Sequence, residues 1–311
     1  CIGLDLPRIR ANTVGIIKAC GPSIPNDGNP AVVLGAALAA LGEHGRDKIV
    51  VFASESFNTF GNWVEQLMAE SLGKERKGWL PVVGTTVGRP HDHATDRVFV
   101  YLKLDDDLGN DELDTQIRAL RHAGHPRITL YLKDTYALFA EFFRWEFATA
   151  VAGKILGINP FDEPNVTESK DNTRRLLEYY QSQGALPETT PVLSGERVRL
   201  YADAGTLSPL RELGKQHGYD PNSRKEMLAA QFAGTHSGDY FGLLVYLPYE
   251  AGLREKLETV RRRLRHVTRR AVTLGYGPRY LHSTGQFHKG GSNNGIFIQL
   301  TADIDDDLDI P

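Results

Sequence analysis

Hydrophobic positions recur along this chain in two textures, and their alternation outlines a fold. The stretch AVVLGAALAALGEHG has the Ala/Leu pattern of a packed helix and leads into KIVVFA, a run with almost no polar position. A loop follows, then a helix through WVEQLMAESLGK, and the alternation continues with WLPVV, RVFVYLKL, a helix carrying Leu113, Ile117 and Leu120 on one side, and RITLYLK. Strands that are apolar at nearly every position must be covered on both faces. The pattern therefore predicts an α/β fold, a parallel sheet flanked by helices in three layers. The next helix, from about Tyr136 to Leu156, carries Phe143, Phe147, Val151 and Ile155 four apart and is expected to pack on that sheet. Gly157, just before Asn159-Pro160, is its stop signal.

From Gln183 the texture changes. SQGALPETTPVLSG is rich in Gly, Pro, Ser and Thr and reads as a linker or a long loop. Beyond it, ERVRLYA, DYFGLLVYL, AVTLGY and GIFIQLTA read as strands, with helices around Lys225 to Phe232 and Ala251 to His266. The expected division is residues 1–185 for the sheet domain and 186–311 for a smaller C-terminal α/β or α+β region. No solenoid-type repeat is present, and the acidic run IDDDLDI reads as a solvated end.

With 311 residues, 41% of them hydrophobic, the chain has enough apolar surface for an ordinary core. Its 36 basic and 39 acidic side chains nearly cancel, so no global field attracts a phosphate polymer or an anionic membrane. Neither nucleic acid nor a membrane is expected as a partner, and no apolar run approaches the ~20 residues of a spanning helix. Two cysteines, Cys1 and Cys20, are too few for a disulfide framework and point to a reducing compartment, read as cytoplasm. The chain opens on Cys rather than Met, and CIGLDL reads as a segment of a longer polypeptide.

Three short patterns carry candidate chemistry. In WVEQLMAESLGKERKG, Gln66 and Glu70 stand four apart, so a helix leans an amide and a carboxylate toward one volume just before the Ser-x-Gly-Lys turn. The same run also suits a plain helix end, with Gly73 as the cap and Lys74 at the negative end of the dipole. NPFDEPNVTESKDN suits a turn and a helix start, with Asp162 capping and Pro164 in the first turn. YLHSTGQFHKGGSNNG places two histidines six apart beside a glycine-rich loop, either a phosphate cradle or a flexible turn.

Together the three runs resemble the glucose-6-phosphate isomerase family, specifically its second sugar-isomerase (SIS) domain with a C-terminal region. Gln66 and Glu70 match the family's Gln-x-x-x-Glu-Ser-x-Gly-Lys run. Phe161, Asp162, Val166 and Lys170 match its Phe-Asp-Gln run, with Glu163 standing where the family has Gln. Leu281, His282, Ser283, Gly285 and Gln286 match the Leu-His-Ser-x-Gly-Gln run of the bacterial enzymes. The order, with the lysine motif before the histidine motif, is similar to the isomerase half of bacterial transaldolase/glucose-6-phosphate isomerase fusions.

The resemblance implies interconversion of glucose 6-phosphate and fructose 6-phosphate through a cis-enediol(ate), a step of glycolysis and gluconeogenesis that needs no cofactor. It implies Glu70 as the base, His282 and Lys170 as aids to ring opening, and Gln66, Glu163 and Gln286 as substrate-binding residues. It implies a phosphorylated hexose as substrate and a homodimer as the assembly. It also implies a missing N-terminal sugar-isomerase domain, without which this segment would be inactive, and, in a fusion, a transaldolase domain. The rival reading is a non-catalytic sugar-phosphate-binding or dimerisation module of the same fold. A Schiff-base transaldolase is a poorer match, because the strand pattern is not that of an eightfold barrel. The site residues are expected at the C-terminal edge of the parallel strands, where open α/β sheets hold ligands.

Other polar clusters have ordinary readings. His91-Asp92-His93 lacks a second His- or Cys-rich cluster in the sequence, so no metal site is expected. RRRLRHVTRR, with Leu264 and Val267 three apart, reads as an amphipathic helix with a solvated basic face.

Overall fold

The computed structural model describes residues 3–105, 107–162 and 164–303. The chain forms two compact units, one running to Val166 and resuming at Tyr240, the other comprising Thr167–Asp239.

In the first unit, α1 (Leu6–Ala19) starts at Asp5, whose carboxylate accepts from the Arg8 N–H at 3.1 Å. α2 (Pro30–Glu43) starts at Asn29, which accepts from Ala31 and Val32, with proline at the first helical position where its missing N–H costs nothing. Then come β1 (Lys48–Ala53), α3 (Phe60–Leu72), β2 (Leu80–Val82), β3 (Arg97–Leu104), α4 (Asn110–His122), β4 (Arg127–Leu132) and α5 (Leu138–Leu156). The four strands are all parallel, in the order β2-β1-β3-β4, with Lys48 opposite both Leu80 and Arg97 and Phe99 opposite Arg127.

Side-chain alternation along β1 builds the layers. Ile49 and Val51 join Leu34, Leu38, Val64, Met68, Leu72 and Trp145, from α2, α3 and α5, in one core. Val50 and Phe52 point the other way, into a core with Phe99, Tyr101, Ile117 and Leu120. The three-layer parallel α/β class expected from the pattern is therefore the observed one. α5 ends at Gly157, in the left-handed region at φ 66°, as its sequence predicts. Its phenylalanines differ from expectation: Phe143 and Phe147 pack on Ile16, Cys20 and Ala31, while Trp145, Ala148 and Ala152 face the sheet core. The smaller side chains admit close approach of α2, where Gly35 lies against the Ala148 carbonyl.

The second unit contains most of α6 (Pro164–Gln183), a two-residue antiparallel pair β5 (Leu193–Ser194) and β6 (Arg199–Leu200), α7 (Ala204–Gln216) and α8 (Arg224–Ala233). The chain then returns to the first unit as β7 (Tyr240–Tyr246), α9 (Ala251–Thr268), β8 (Ala271–Tyr276), α10 (Gly285–Gly290) and β9 (Gly295–Thr301). These strands form a second parallel sheet in the order β8-β7-β9.

The compact units thus do not follow a division at residue 185. Tyr240, Ala271 and Phe287 are buried in the same cluster as Val50 and Phe99, so the C-terminal strands share the core of the first sheet. Glycine- and proline-rich texture at 183–195 marked a change in the chain, but the burial of β7 decides where it belongs. The acidic run after Asp303 lies outside the described residues.

Candidate active site

The three motifs meet within the first unit. α3 ends at Gly73, and the next residue, Lys74, is buried with 1% of its surface exposed. Its ammonium donates to the Asp162 backbone carbonyl and, at 2.9 Å, to the Asp162 carboxylate. This joins the first motif to the second. Gln286 is equally buried and donates through Nε2 to the Gly73 carbonyl at 2.9 Å and to the Asn165 side-chain oxygen at 2.8 Å. This joins the third motif to both others. The Arg76 N–H closes the arrangement by donating to the Gly290 carbonyl at 2.8 Å.

The turn that makes these contacts is tight. Glu75 and Arg76 both take left-handed backbone conformations, at φ 54° and 59°, which side chains rarely adopt. Gly73 itself is not left-handed. It is needed for space, since a Cβ there would lie 2.5 Å from Phe287 Cα and 2.6 Å from the Ala69 carbonyl.

Along α3, the exposed Gln66 donates to the half-buried Glu70 carboxylate at 3.4 Å, the amide–carboxylate pair that the i, i+4 spacing predicts. One residue earlier, Glu65 is buried, and Ser283 and Arg279 approach it, with the arginine at 4.0 Å. Burial pushes the Glu65 carboxyl above its usual range, against the opposing pull of the Ser283 hydrogen bond and of Arg279 and Arg261. The segment 279–290 therefore touches α3 at Glu65, through Ser283, and at Gly73, through Gln286. Eight residues of helix span about 12 Å, and Glu70 lies between these two contacts.

His282 is exposed at the end of a short 3-10 turn, Arg279–His282, directly before the buried Ser283. Lys170 is exposed on α6 and belongs to the second unit, whereas Glu70 and His282 belong to the first. Glu163 lies outside the described residues. Gln286 is in place, but both of its N–H groups are taken by protein acceptors and its amide is buried. The other histidine of that motif, His288, shares a hydrogen bond between its Nδ1 and the Tyr240 hydroxyl at 2.8 Å and packs against the Tyr240 and Phe297 rings. Burial, with a smaller effect of Lys289, pushes its pKa down to about 3, so it is a neutral packing residue at physiological pH.

The motif junction lies at the amino ends of the strands, not at the expected carboxyl edge. A helix linking neighbouring parallel strands must run back from the carboxyl edge to the amino edge. The C-terminal turn of α3 therefore delivers Glu70, Gly73 and Lys74 just before β2 begins at Leu80. The end of α10 reaches the start of β9 in the same way.

Three residues that hold this region were not foreseen: Glu65, Asn165 and Arg261. Arg261 donates to the carbonyls of Val272 at 2.9 Å, Gly84 at 3.0 Å and Val83 at 2.8 Å, and Arg265 donates to the Thr86 carbonyl at 2.7 Å. Both arginines are buried, so the basic run is not simply a solvated face; Val267, expected on the apolar side, is 76% exposed. The available signal was spacing, because Arg261 and Arg265 lie four apart on the helix face that carries Leu257 and Leu264.

No family model matches the chain. Over 211 residues it is 26% identical to the glucose-6-phosphate isomerase of Methanocaldococcus jannaschii, a match covering 57% of this chain and 52% of that one. Over 208 residues it is 30% identical to the glucose-6-phosphate isomerase of Rubrobacter xylanophilus, covering 54% of this chain and 47% of the relative. The corresponding enzyme of Parabacteroides distasonis is 26% identical over 213 residues, covering 56% and 47%. The chain spans about half the length of the curated relatives it matches. Among the described residues no helix is long and apolar enough to cross a membrane.

Proposed function

We propose that this chain is the catalytic part of a glucose-6-phosphate isomerase with an SIS-type fold. The observation that carries the proposal is the convergence of three motifs, far apart in sequence, on the end of α3: Lys74 on Asp162, and Gln286 on Gly73 and Asn165. The partial similarity to glucose-6-phosphate isomerases supports the same reading. Aldose–ketose isomerisation requires proton transfer between adjacent carbons, and Glu70 is the carboxylate that performs it, passing through a cis-enediol(ate). Gln66 holds one carboxylate oxygen by its hydrogen bond and so fixes the direction in which the base acts. His282 assists opening of the sugar ring, a role that the motif resemblance also gives to Lys170. Gln286, read from the motif as a substrate ligand, is assigned here to holding the third motif against α3. The whole enzyme would add the phosphate-gripping sugar-isomerase domain, work as a cytoplasmic homodimer, and in a fusion carry a transaldolase domain.

The test is Glu70→Gln in the full-length enzyme, which keeps the size of the side chain and removes its basicity. The catalytic rate is expected to fall by ~10²-fold or more, with KM and melting temperature close to wild type. A folded variant with near-normal turnover would remove Glu70 from the mechanism and leave the non-catalytic module as the better reading.

A further inference from the structure

The short turn Pro90–Asp92 and the last turn of α9 bring together three ligand-type side chains that take no part in the site above. The ligand atoms of His91, Asp92 and His266 all lie within 4.8 Å of one another. His91 and Asp92 were visible as neighbours in the sequence. The third member comes from a helix 174 residues further on.

We propose that His91, Asp92 and His266 form a binding site for a divalent cation of the zinc class, and that Arg89 is the charge such a cation displaces. Asp92 is the fixed point. It is buried at 6% exposure, and one carboxylate oxygen accepts from the Arg89 backbone N–H at 3.0 Å. The other oxygen is shared, with His266 Nδ1 at 2.7 Å, His91 Nε2 at 3.5 Å and the Arg89 guanidinium at 3.5 Å. Tetrahedral zinc with bonds of about 2.0–2.1 Å needs its ligand atoms roughly 3.3 Å apart. The observed separations fall on both sides of that value, and the two imidazoles are about half exposed, so small side-chain rotations complete the geometry.

The framework beneath does not have to move. The next residue, His93, is buried with its ring bonded to the Val87 carbonyl at 2.7 Å, and Arg265, beside His266, is fixed on the Thr86 carbonyl. Two imidazoles and one carboxylate suit zinc, nickel or cobalt, and not magnesium, which prefers oxygen donors and keeps its waters. The Arg89 guanidinium lies 3.0 Å from His266 Nδ1, whose proton goes to Asp92, and its side chain is 61% exposed and can swing into solvent. Its charge, and that of Arg265, which interacts with Asp92, set the expected affinity in the micromolar range rather than the nanomolar. A bound ion would tie α9 to the turn that precedes β3.

Isothermal titration of the 311-residue chain with Zn²⁺, alongside thermal unfolding with and without it, tests the proposal. One equivalent is expected to bind and raise the melting temperature, with no competition from millimolar Mg²⁺. His91→Ala and His266→Gln should each weaken binding by ~10-fold or more, the glutamine keeping a hydrogen bond to Asp92 but offering no imidazole. Arg89→Ala should tighten it by ~10-fold through removal of the competing charge. Zn²⁺ binding no tighter than millimolar, binding unchanged in both histidine variants, displacement by Mg²⁺, or an Arg89→Ala variant that binds no better would each overturn the proposal. If His266→Gln fails to fold, His91→Ala and Arg89→Ala still decide it, because both change exposed side chains.

Discussion

Replacing Gln286 with alanine separates a substrate-binding amide from one that holds the site together. The substitution removes two hydrogen bonds, a buried one to the Gly73 carbonyl at 2.9 Å and a partly buried one to the Asn165 side chain at 2.8 Å. Each is worth about 1 kcal/mol net, and stranding the Gly73 carbonyl away from water adds about 1–3 kcal/mol. Asn165 is only half-buried and can turn toward water, so it adds little. Against this, Gln286 Oε1 is itself buried without a partner among the described residues, and its removal recovers part of the loss. The net expectation is destabilisation of about 3 kcal/mol, or a melting temperature lower by roughly 6–12 °C for a unit of this size. Differential scanning calorimetry on the 311-residue chain measures it. Gln66→Ala is the control: Gln66 is exposed, so its loss should leave melting within about 2 °C while lowering the rate of the full-length enzyme. A Gln286→Ala protein that melts like wild type would refute the assignment and return Gln286 to the substrate.

Three further outcomes follow from the same geometry. Arg261→Lys should cost about 2–4 kcal/mol in urea denaturation, because one ammonium cannot reach the three carbonyls of Val83, Gly84 and Val272 that the guanidinium fork serves. Gly73→Ala should lower melting temperature and activity together, since its Cβ would force Phe287 and the segment 285–290 off α3. Glu65 has its folded pKa raised, so its contribution to stability is fully present below the unfolded value near 4.5 and is lost as pH rises through the folded one. The melting temperature of Glu65→Gln relative to wild type should therefore improve between pH 4 and pH 8; a constant difference would show that Glu65 is not held above its ordinary range.

The layers were legible because they depend on local periodicity. KIVVFA and RVFVYLKL are apolar on both faces, and only a sheet covered on both sides buries them. The site was legible as motifs, and the Gln66–Glu70 pair follows from helical spacing alone. What was not legible depends on long-range pairing. Nothing local in DYFGLLVYL says that Tyr240 shares a core with Val50, so the C-terminal strands were placed in a region of their own. Lys74 read as a cation at the negative end of the helix dipole because that is the local optimum, and its burial against Asp162, 88 residues away, has no local signal. The edge of the sheet was misjudged for a different reason. A general tendency of open α/β sheets was applied where the connection α3–β2, read strictly, already put the end of that helix at the amino edge.

The two readings of the run ESLGK, structural helix end and catalytic segment, need not compete, because they fall on different sides of one helix. At 100° per residue, Gly61, Val64, Glu65, Met68, Ala69 and Leu72 share one arc of α3, and all are buried. Gln66 and Glu70 lie about 40° apart on the opposite arc, outside the core. The turn that follows is fixed from below by Lys74 on Asp162 and from the side by Gln286 on Gly73. A base must keep its geometry through proton transfer, and a helix end would otherwise fray. Clamping the last turn by two polar ties, each made by a buried donor, Lys74 and Gln286, holds Glu70 in place, on the arc of α3 opposite its buried face. The structural reading of Gly73 and Lys74 is thus the physical condition for the catalytic reading of Glu70.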